Sequence, residues 1–280
     1  MSLLQSILSH LPGFATDVFR LCLWLVLLTA LFAPLERWFA VREQKLDKRA
    51  LAQDLGFYFL SSLTPALVMG FPPAMIAELG RALLPAGLLQ ASASLSLLPR
   101  LLLAFVVGEV GFYWGHRLSH EIPWLWRFHA VHHRPQQMYY LVNTRAHPVD
   151  LVLTRLFGLT PLYLFGLAGP GAAGTATPVA VILIGTVWGF FIHSNVRFRF
   201  RPLEWVLATP VFHHWHHSRV DHINRNYAST FPLLDRLFGT YYLPQAWPAD
   251  YGVAAEVPQE DAVEQPRAKV AKVTKVLDSR

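Results

Sequence analysis

The side chains best suited to chemistry in this sequence are histidines. The 280-residue chain has 13, and most fall in three short runs: His116-Arg-Leu-Ser-His120, His129-Ala-Val-His132-His133 and His213-His214-Trp215-His216-His217. On a helix, positions i, i+3 and i+4 share a face. His116 and His120 therefore stand one turn apart, His129, His132 and His133 form a second cluster, and His213, His216 and His217 a third. His214 is turned about 100° away from its neighbour His213. Neutral imidazole is a good ligand for zinc, copper, iron or nickel, and eight such groups exceed what one tetrahedral zinc can use. Two metal ions are the economical reading. A lone histidine is ordinarily a surface or satisfied core residue, but three clusters at ligand spacing are not explained that way. A zincin site is disfavoured because Trp124 follows His120-Glu121 where HExxH needs its second histidine. No GxGxxG or GxxxxGK[ST] string occurs either. Glu109 lies seven residues before His116, on the same helical face and two turns deeper. A carboxylate at that depth needs a partner. It either orients a ligating histidine or meets an arginine on a neighbouring helix.

These side chains have to be positioned by apolar elements. The chain is 53% hydrophobic and 15% charged, the balance of a membrane protein. A spanning helix needs roughly 20 mainly apolar residues. Phe14 to Leu35, Leu51 to Met69, Leu98 to Gly115 and Pro178 to Ile192 fit, as does Val149 to Leu167, whose Arg155 is near enough to one end to snorkel. Gly70 to Leu97, broken by Pro72, Pro73 and Pro85, reads as a re-entrant or interfacial hairpin. The net charge is +6, yet the basic residues sit in loops beside apolar segments, as the positive-inside rule expects, so nucleic acid is not a partner. Arg37, Arg42, Lys45, Lys48 and Arg49 put the first loop in the cytoplasm and the N-terminus outside. Counting crossings then brings every histidine cluster to the cytoplasmic side, beside Arg117, Arg127, Arg134, Arg145, Arg197, Arg199 and Arg201. The N-terminus lacks the basic region and cleavage site of a secretory signal, so its first apolar run is expected to be retained. The expected fold is all-α: a polytopic transmembrane helical bundle with a cytoplasmic-side, histidine-rich dimetal cap. Residues 1–97 form N-terminal helices and the hairpin, 98–252 the catalytic domain and 253–280 a solvated tail. The setting is the inner membrane if the source is bacterial and the endoplasmic reticulum if eukaryotic. Cys22, the single cysteine, allows no internal disulfide and reads as a small hydrophobe.

The order HxxxH, HxxHH, HxxHH on the ends of apolar helices resembles the fatty acid hydroxylase and sterol desaturase superfamily over roughly Leu98 to Gly252. The strings that carry the likeness are Glu109-Val-Gly-Phe-Tyr-Trp-Gly-His116 through Glu121, Arg145-Ala-His147-Pro148, Phe191-Ile-His193, Pro202-Leu-Glu-Trp205, Asn226-Tyr227-Ala and Asp235-Arg-Leu-Phe-Gly-Thr240. Glu121 and the segment from Ile192 through Gly239 are most similar to alkylglycerol monooxygenase-like membrane proteins. The resemblance implies a diiron centre held by His116, His120, His129, His132, His133, His213, His216 and His217, with His193 as a ninth ligand and His147 a weaker candidate. Glu109 and Glu121 are the carboxylates assigned to catalysis. His214 stands where the family often has arginine and Asn224 near a common aspartate. His214 and His222 are left out of the ligand set, and His10 reads as an ordinary terminal residue.

The resemblance therefore implies a membrane-bound, non-haem, dioxygen-dependent oxidoreductase acting on a membrane lipid or sterol-like substrate. An unactivated C–H bond is too strong for acid–base catalysis, so its oxidation calls for a metal-bound oxidant, with the protein supplying position. Hydroxylation is favoured over desaturation from the local resemblance. Phe112, Tyr113, Trp114, Trp124 and Trp126 either line a site for an amphiphile or form an interfacial belt. No fused haem domain is visible, so electrons come from a separate donor protein or a diffusible reductant. The rival readings are a metal transporter, disfavoured because no inverted repeat is apparent, and a zinc-dependent lipid hydrolase on the same histidines.

Overall fold

The structure is a computed structural model that describes residues 12–68, 72–169, 172–219 and 222–253. His10, Gly171 and the tail beyond Val253 lie outside the described residues. The fold runs α1 (Gly13–Trp38), α2 (Lys48–Val68), α3 (Pro72–Leu83), α4 (Ala86–Ser94), α5 (Leu97–Glu121), α6 (Pro123–His133), a 3₁₀ turn at Tyr140–Thr144, α7 (Pro148–Leu164), α8 (Ala172–His193), a second 3₁₀ turn at Leu203–Trp205, α9 (Pro210–His216) and α10 (Leu233–Leu237). Among the described residues there are no strands, only isolated bridges pairing Ala40 with Val196 and Ser218 with Tyr251.

Three helices, α1, α5 and α8, are long and apolar enough to cross a membrane, and leucines and valines such as Leu27, Leu102 and Val179 face outward from them. The sequence led us to expect five crossings. The remaining two regions do form helices, but α7 has only 17 residues and carries Asp150 and Arg155, and α2 opens on Lys48 and Arg49 and carries Asp54. The described residues of the stretch expected to be a re-entrant or interfacial hairpin form two short helices, α3 and α4.

Proline sets where the site helices begin. It fixes its own φ and lacks the N–H that a first helical residue would leave unpaired, while holding the preceding residue extended. Ile122 before Pro123, His147 before Pro148 and Thr209 before Pro210 are all extended, and α6, α7 and α9 start there. The break at Ile122 lets α6 fold back on the end of α5, so the first two histidine clusters face each other.

Close packing of α5 on α7 fixes the other wall. Gly108, Gly111 and Gly115 form a stripe along α5 against Phe157, Gly158 and Leu162. A Cβ at Gly115 would lie 2.6 Å from the Phe157 Cβ, and one at Gly111 would collide with the Phe157 carbonyl. Small residues at this spacing let two helix backbones approach, as in membrane bundles. A second core gathers Phe32 of α1, Tyr58 of α2, Tyr140 and Leu141 of the 3₁₀ turn and Phe190 of α8. It pins the turn beneath the histidine layer.

Candidate metal centre

The histidines converge into two buried groups. His116, His120, His129, His133 and His216 form one, and His132, His193, His213 and His217 the other; within each, one ligand atom per residue lies within 4.8 Å of the rest. The groups share a wall: the rings of His133 and His217 stack with centroids 4.3 Å apart. Elements distant in sequence supply each set. The ends of α5 and α8 deliver His116, His120 and His193, α6 delivers the second cluster, and α9 the third.

Hydrogen bonds on the far side of the rings fix which nitrogen is free. His116 Nδ1 donates to the Tyr227 carbonyl at 2.6 Å, His132 Nδ1 to the Arg145 carbonyl at 3.0 Å, His193 Nδ1 to the Gly189 carbonyl at 2.7 Å and His216 Nδ1 to the Arg225 carbonyl at 2.8 Å. A carbonyl can only accept, so in each neutral ring the proton is on Nδ1 and Nε2 presents a lone pair. The free nitrogens nonetheless meet: His116 and His129 face Nε2 to Nε2 at 3.1 Å, as do His132 and His193. His213 Nε2 stands 2.9 Å from His193 Nε2 and 3.1 Å from His217 Nε2. Both nitrogens of His120 and of His133, together with His216 Nε2, are buried without any hydrogen-bond partner. A shared proton would pair one such contact, but not so many convergent lone pairs. The set fits a cation in each group, since ligand nitrogens roughly 2.0–2.2 Å from one ion lie about 3 Å apart.

Burial keeps these rings neutral. It lowers the His132 pKa to about 4, with His129 nearby adding to the effect. It also holds His133, His213, His216 and His217 well below the ordinary histidine range. Neutral rings are the form that binds metal.

The supporting layer differs from the sequence expectation. Glu109 meets neither a histidine nor an arginine. Its carboxylate accepts from the Ser229 hydroxyl at 3.0 Å and from the backbone N–H groups of Thr230 and Phe231. It thereby anchors the segment whose Tyr227 carbonyl holds His116. The carboxylate that does touch a ring is Asp150, with both oxygens 3.0 Å from His129 Nδ1. Sequence reasoning missed it; its one signal is its place in the first turn of the helix that His147-Pro148 opens. Asp235 accepts from the backbone N–H groups of Tyr227 and Ala228 and from the Thr240 hydroxyl, which fixes the same segment from its other side. Asn226 adopts a left-handed φ of 58° and donates through its side-chain amide to the Phe212 and Tyr242 carbonyls, tying α9 to the loop that covers it.

Other candidates lie outside both groups. His147 caps α7, its Nδ1 accepting from the Val149 N–H at 3.2 Å. Glu121 pairs with Arg117 at 2.9 Å on the outer side of α5. His214 is buried but turned away, bonded to the Tyr251 hydroxyl at 2.9 Å and the Ser194 carbonyl at 3.1 Å. His222 stacks on Tyr242.

A largely apolar cavity of about 510 Å³ opens among α1, α2, α5, α7 and α8 and ends on His116, His129, His132, His193 and His213. Of the five aromatics read as either lining a site or forming an interfacial belt, Phe112 lines this cavity and the other four do not. Tyr113 is buried against Tyr227 and Phe238, Trp126 lies behind His120 and His133, and Trp124 is exposed.

The fatty acid hydroxylase family model matches residues 101–240, half of the chain. An ornithine lipid hydroxylase of Rhizobium tropici is 36% identical over 56% of this chain and 46% of its own length. An alkylglycerol monooxygenase of Danio rerio is 33% identical over 54% of this chain and 32% of its own. A very-long-chain aldehyde decarbonylase of Oryza sativa subsp. indica is 31% identical over 50% of this chain and 52% of its own. The chain thus spans about half or less of the curated relatives it matches. No solved structure matches.

Proposed function

The chain belongs to the fatty acid hydroxylase family, and on that premise we propose that it is a multi-pass membrane oxidoreductase that uses two iron ions and dioxygen to hydroxylate a lipid. The relatives are named for lipid hydroxylation, alkylglycerol monooxygenation and aldehyde decarbonylation, which supports lipid oxidation as the class. The observation that carries the reading for this chain is that one apolar cavity joins the helix bundle to both histidine groups.

The five-histidine group would hold one ion and the four-histidine group the other. When bound, iron supplies the reduction of dioxygen and the oxidising power to break a C–H bond. The protein's share is placement. Tyr227, Arg145, Gly189 and Arg225 carbonyls and the Asp150 carboxylate hold five of the nine rings, His116, His132, His193, His216 and His129, with the free nitrogen inward, and such outer contacts set ligand orientation and basicity. Gly108, Gly158 and Phe112 line a channel for a hydrocarbon chain, and its apolar wall limits water near the ligands. Hydroxylation, rather than the desaturation open to the same ligand set, is the reading favoured by the hydroxylase and monooxygenase relatives. Residues 98–252 would be the catalytic segment, with the site at the cytoplasmic face as the arginine and lysine bias argues. Electrons would come from a separate donor protein or a diffusible reductant.

The test is metal analysis with oxygen uptake on full-length protein purified anaerobically. We expect close to two irons per chain and lipid-dependent oxygen consumption once a reductant is supplied, with product lipids gaining an oxygen atom. Activity with zinc alone and no reductant would overturn the oxygenase reading in favour of a hydrolase.

A further inference from the structure

Arg155 is a cation in the wrong place for a structural residue. With Leu151 and Leu159 it forms an i, i+4, i+8 stripe on α7, and all three line the apolar cavity that ends on the histidines. Among the described residues no hydrogen bond, ion pair or ring contact reaches it. Arg100 of α5 is satisfied differently: it is buried and donates to the Ala93, Leu95 and Leu167 carbonyls. The carboxylates that line the same cavity are already engaged, Asp150 by His129 and Glu109 by Ser229, Thr230 and Phe231. The hydroxyls of Ser61 and Ser62 at the cavity wall donate to the Thr144 and Tyr58 carbonyls. Arg155 is half-buried; a charge lining an apolar cavity is costly without a counter-ion, and none of these groups offers one.

We propose that Arg155 binds the anionic oxygen head group, carboxylate or phosphate, of the lipid that enters this cavity. The proposal rests on the reading of the cavity as the substrate's. A guanidinium presents paired donors that match a carboxylate or phosphate in a fork, and it keeps its charge in an apolar setting. Arg155 would select lipids by head-group charge, while the apolar walls and the histidines are indifferent to it.

Hexadecanoate, hexadecyl phosphate and hexadecanol, which share one chain, separate the contribution of the head group. Their binding to full-length, iron-loaded protein in a neutral detergent is measured by ligand-induced thermal shift and by titration. One or both anions should bind at least roughly tenfold more tightly than the alcohol, and Arg155→Gln should bring that preference to within about twofold. Which anion wins distinguishes the carboxylate from the phosphate source. Arg155→Lys, a point charge without the fork, should retain part of the preference. Arg127→Gln, on the exposed surface of α6, should leave it intact and controls for general attraction to a basic protein. Equal binding of alcohol and anions by the unaltered protein overturns the proposal, even if Arg155→Gln fails to fold, and so does an anion preference that survives in Arg155→Gln. Iron content and oxygen uptake on the same preparations separate this from the chemistry: anion preference without oxygen uptake sinks the oxygenase reading and leaves the Arg155 site standing.

Discussion

His129 donates from Nδ1 to both carboxylate oxygens of Asp150, each 3.0 Å away, and so points Nε2 at His116 Nε2. The contact joins α6 to the first turn of α7 and is almost wholly buried, the two side chains being 4% and 6% exposed. A carboxylate behind a ligand ring raises its basicity and removes its freedom to rotate. Asp150→Asn preserves the shape and removes the charge. We expect its metal affinity to fall by roughly 10- to 100-fold, with iron content after dialysis as the readout. Iron retention equal to the unaltered protein would show that Asp150 does not support a ligand.

The third cluster offers a test of register. His213 and His214 are neighbours in α9, yet His213 faces His193 and His217 while His214 faces Tyr251 and Ser194. His213→Ala and His120→Ala should each lower bound iron. His214→Ala should leave it near two per chain, at a cost in stability of about 1–3 kcal/mol for the buried hydroxyl and carbonyl left unpaired. Metal analysis and thermal unfolding of matched preparations decide this, and loss of iron in His214→Ala with retention in His213→Ala would reverse the assignment.

Helical spacing made the grouping of rings legible, because i, i+3 and i+4 identify a face without any knowledge of what lies opposite. It also set His214 apart. The division of the rings between two groups was not legible: His132 and His133 are adjacent in sequence but join different groups, and that depends on how α8 and α9 pack around α6. Asp150 escaped notice because an acidic residue in a first helical turn ordinarily reads as favourable to the helix dipole. Glu109 was recognised as needing a partner, but its partners are backbone N–H groups 120 or so residues on, which no sequence period reveals. The five apolar stretches all appear as helices, but only α1, α5 and α8 are both long and apolar enough to cross a membrane: α7 is short and carries Asp150 and Arg155, and α2 opens on charged residues.

Acidification should weaken the apo protein. Burial lowers the pKa of His132 to about 4 and of His214 to about 3, against about 6.5 in the unfolded chain. Between those values the unfolded chain binds protons that the folded chain does not, so stability rises with pH and is lost as pH falls below about 6.5. We expect the unfolding temperature of chelator-stripped protein to drop steadily from about pH 7 to about pH 5, whereas bound metal should oppose the drop because protons must displace it. An unfolding temperature independent of pH over this window would contradict neutral burial of these rings.

The α5 glycine stripe should tolerate little. A Cβ at Gly111 would collide with the Phe157 carbonyl, a backbone atom that cannot swing aside, whereas one at Gly56 on α2 would meet nothing within 4 Å. Gly111→Ala should cost about 1–3 kcal/mol or more through overpacking, and Gly56→Ala should be neutral or mildly favourable in a helix. Thermal unfolding in detergent gives the comparison, and equal behaviour of the two variants would argue against the close approach of α5 and α7.

Glu109 gives the most discriminating substitution because it acts on the site without touching a ring. Its carboxylate holds Ser229, Thr230 and Phe231, and the same stretch of chain carries the Tyr227 carbonyl that fixes His116 at 2.6 Å. Glu109→Gln retains an acceptor for the Thr230 N–H and an amide group that can reach the Ser229 oxygen, so the segment should stay in place and iron content should be nearly kept. Glu109→Ala leaves a buried N–H unpaired and opens a void at the cavity wall. The stranded N–H alone costs about 1–3 kcal/mol, and the released segment no longer aims the Tyr227 carbonyl. Iron affinity of the alanine variant should therefore fall by roughly 10- to 100-fold, together with a lower unfolding temperature. The pairing of the two readouts is decisive. If Glu109→Gln loses as much iron as Glu109→Ala while unfolding at the normal temperature, the carboxylate's charge acts on the metal centre directly and the route through Tyr227 is wrong.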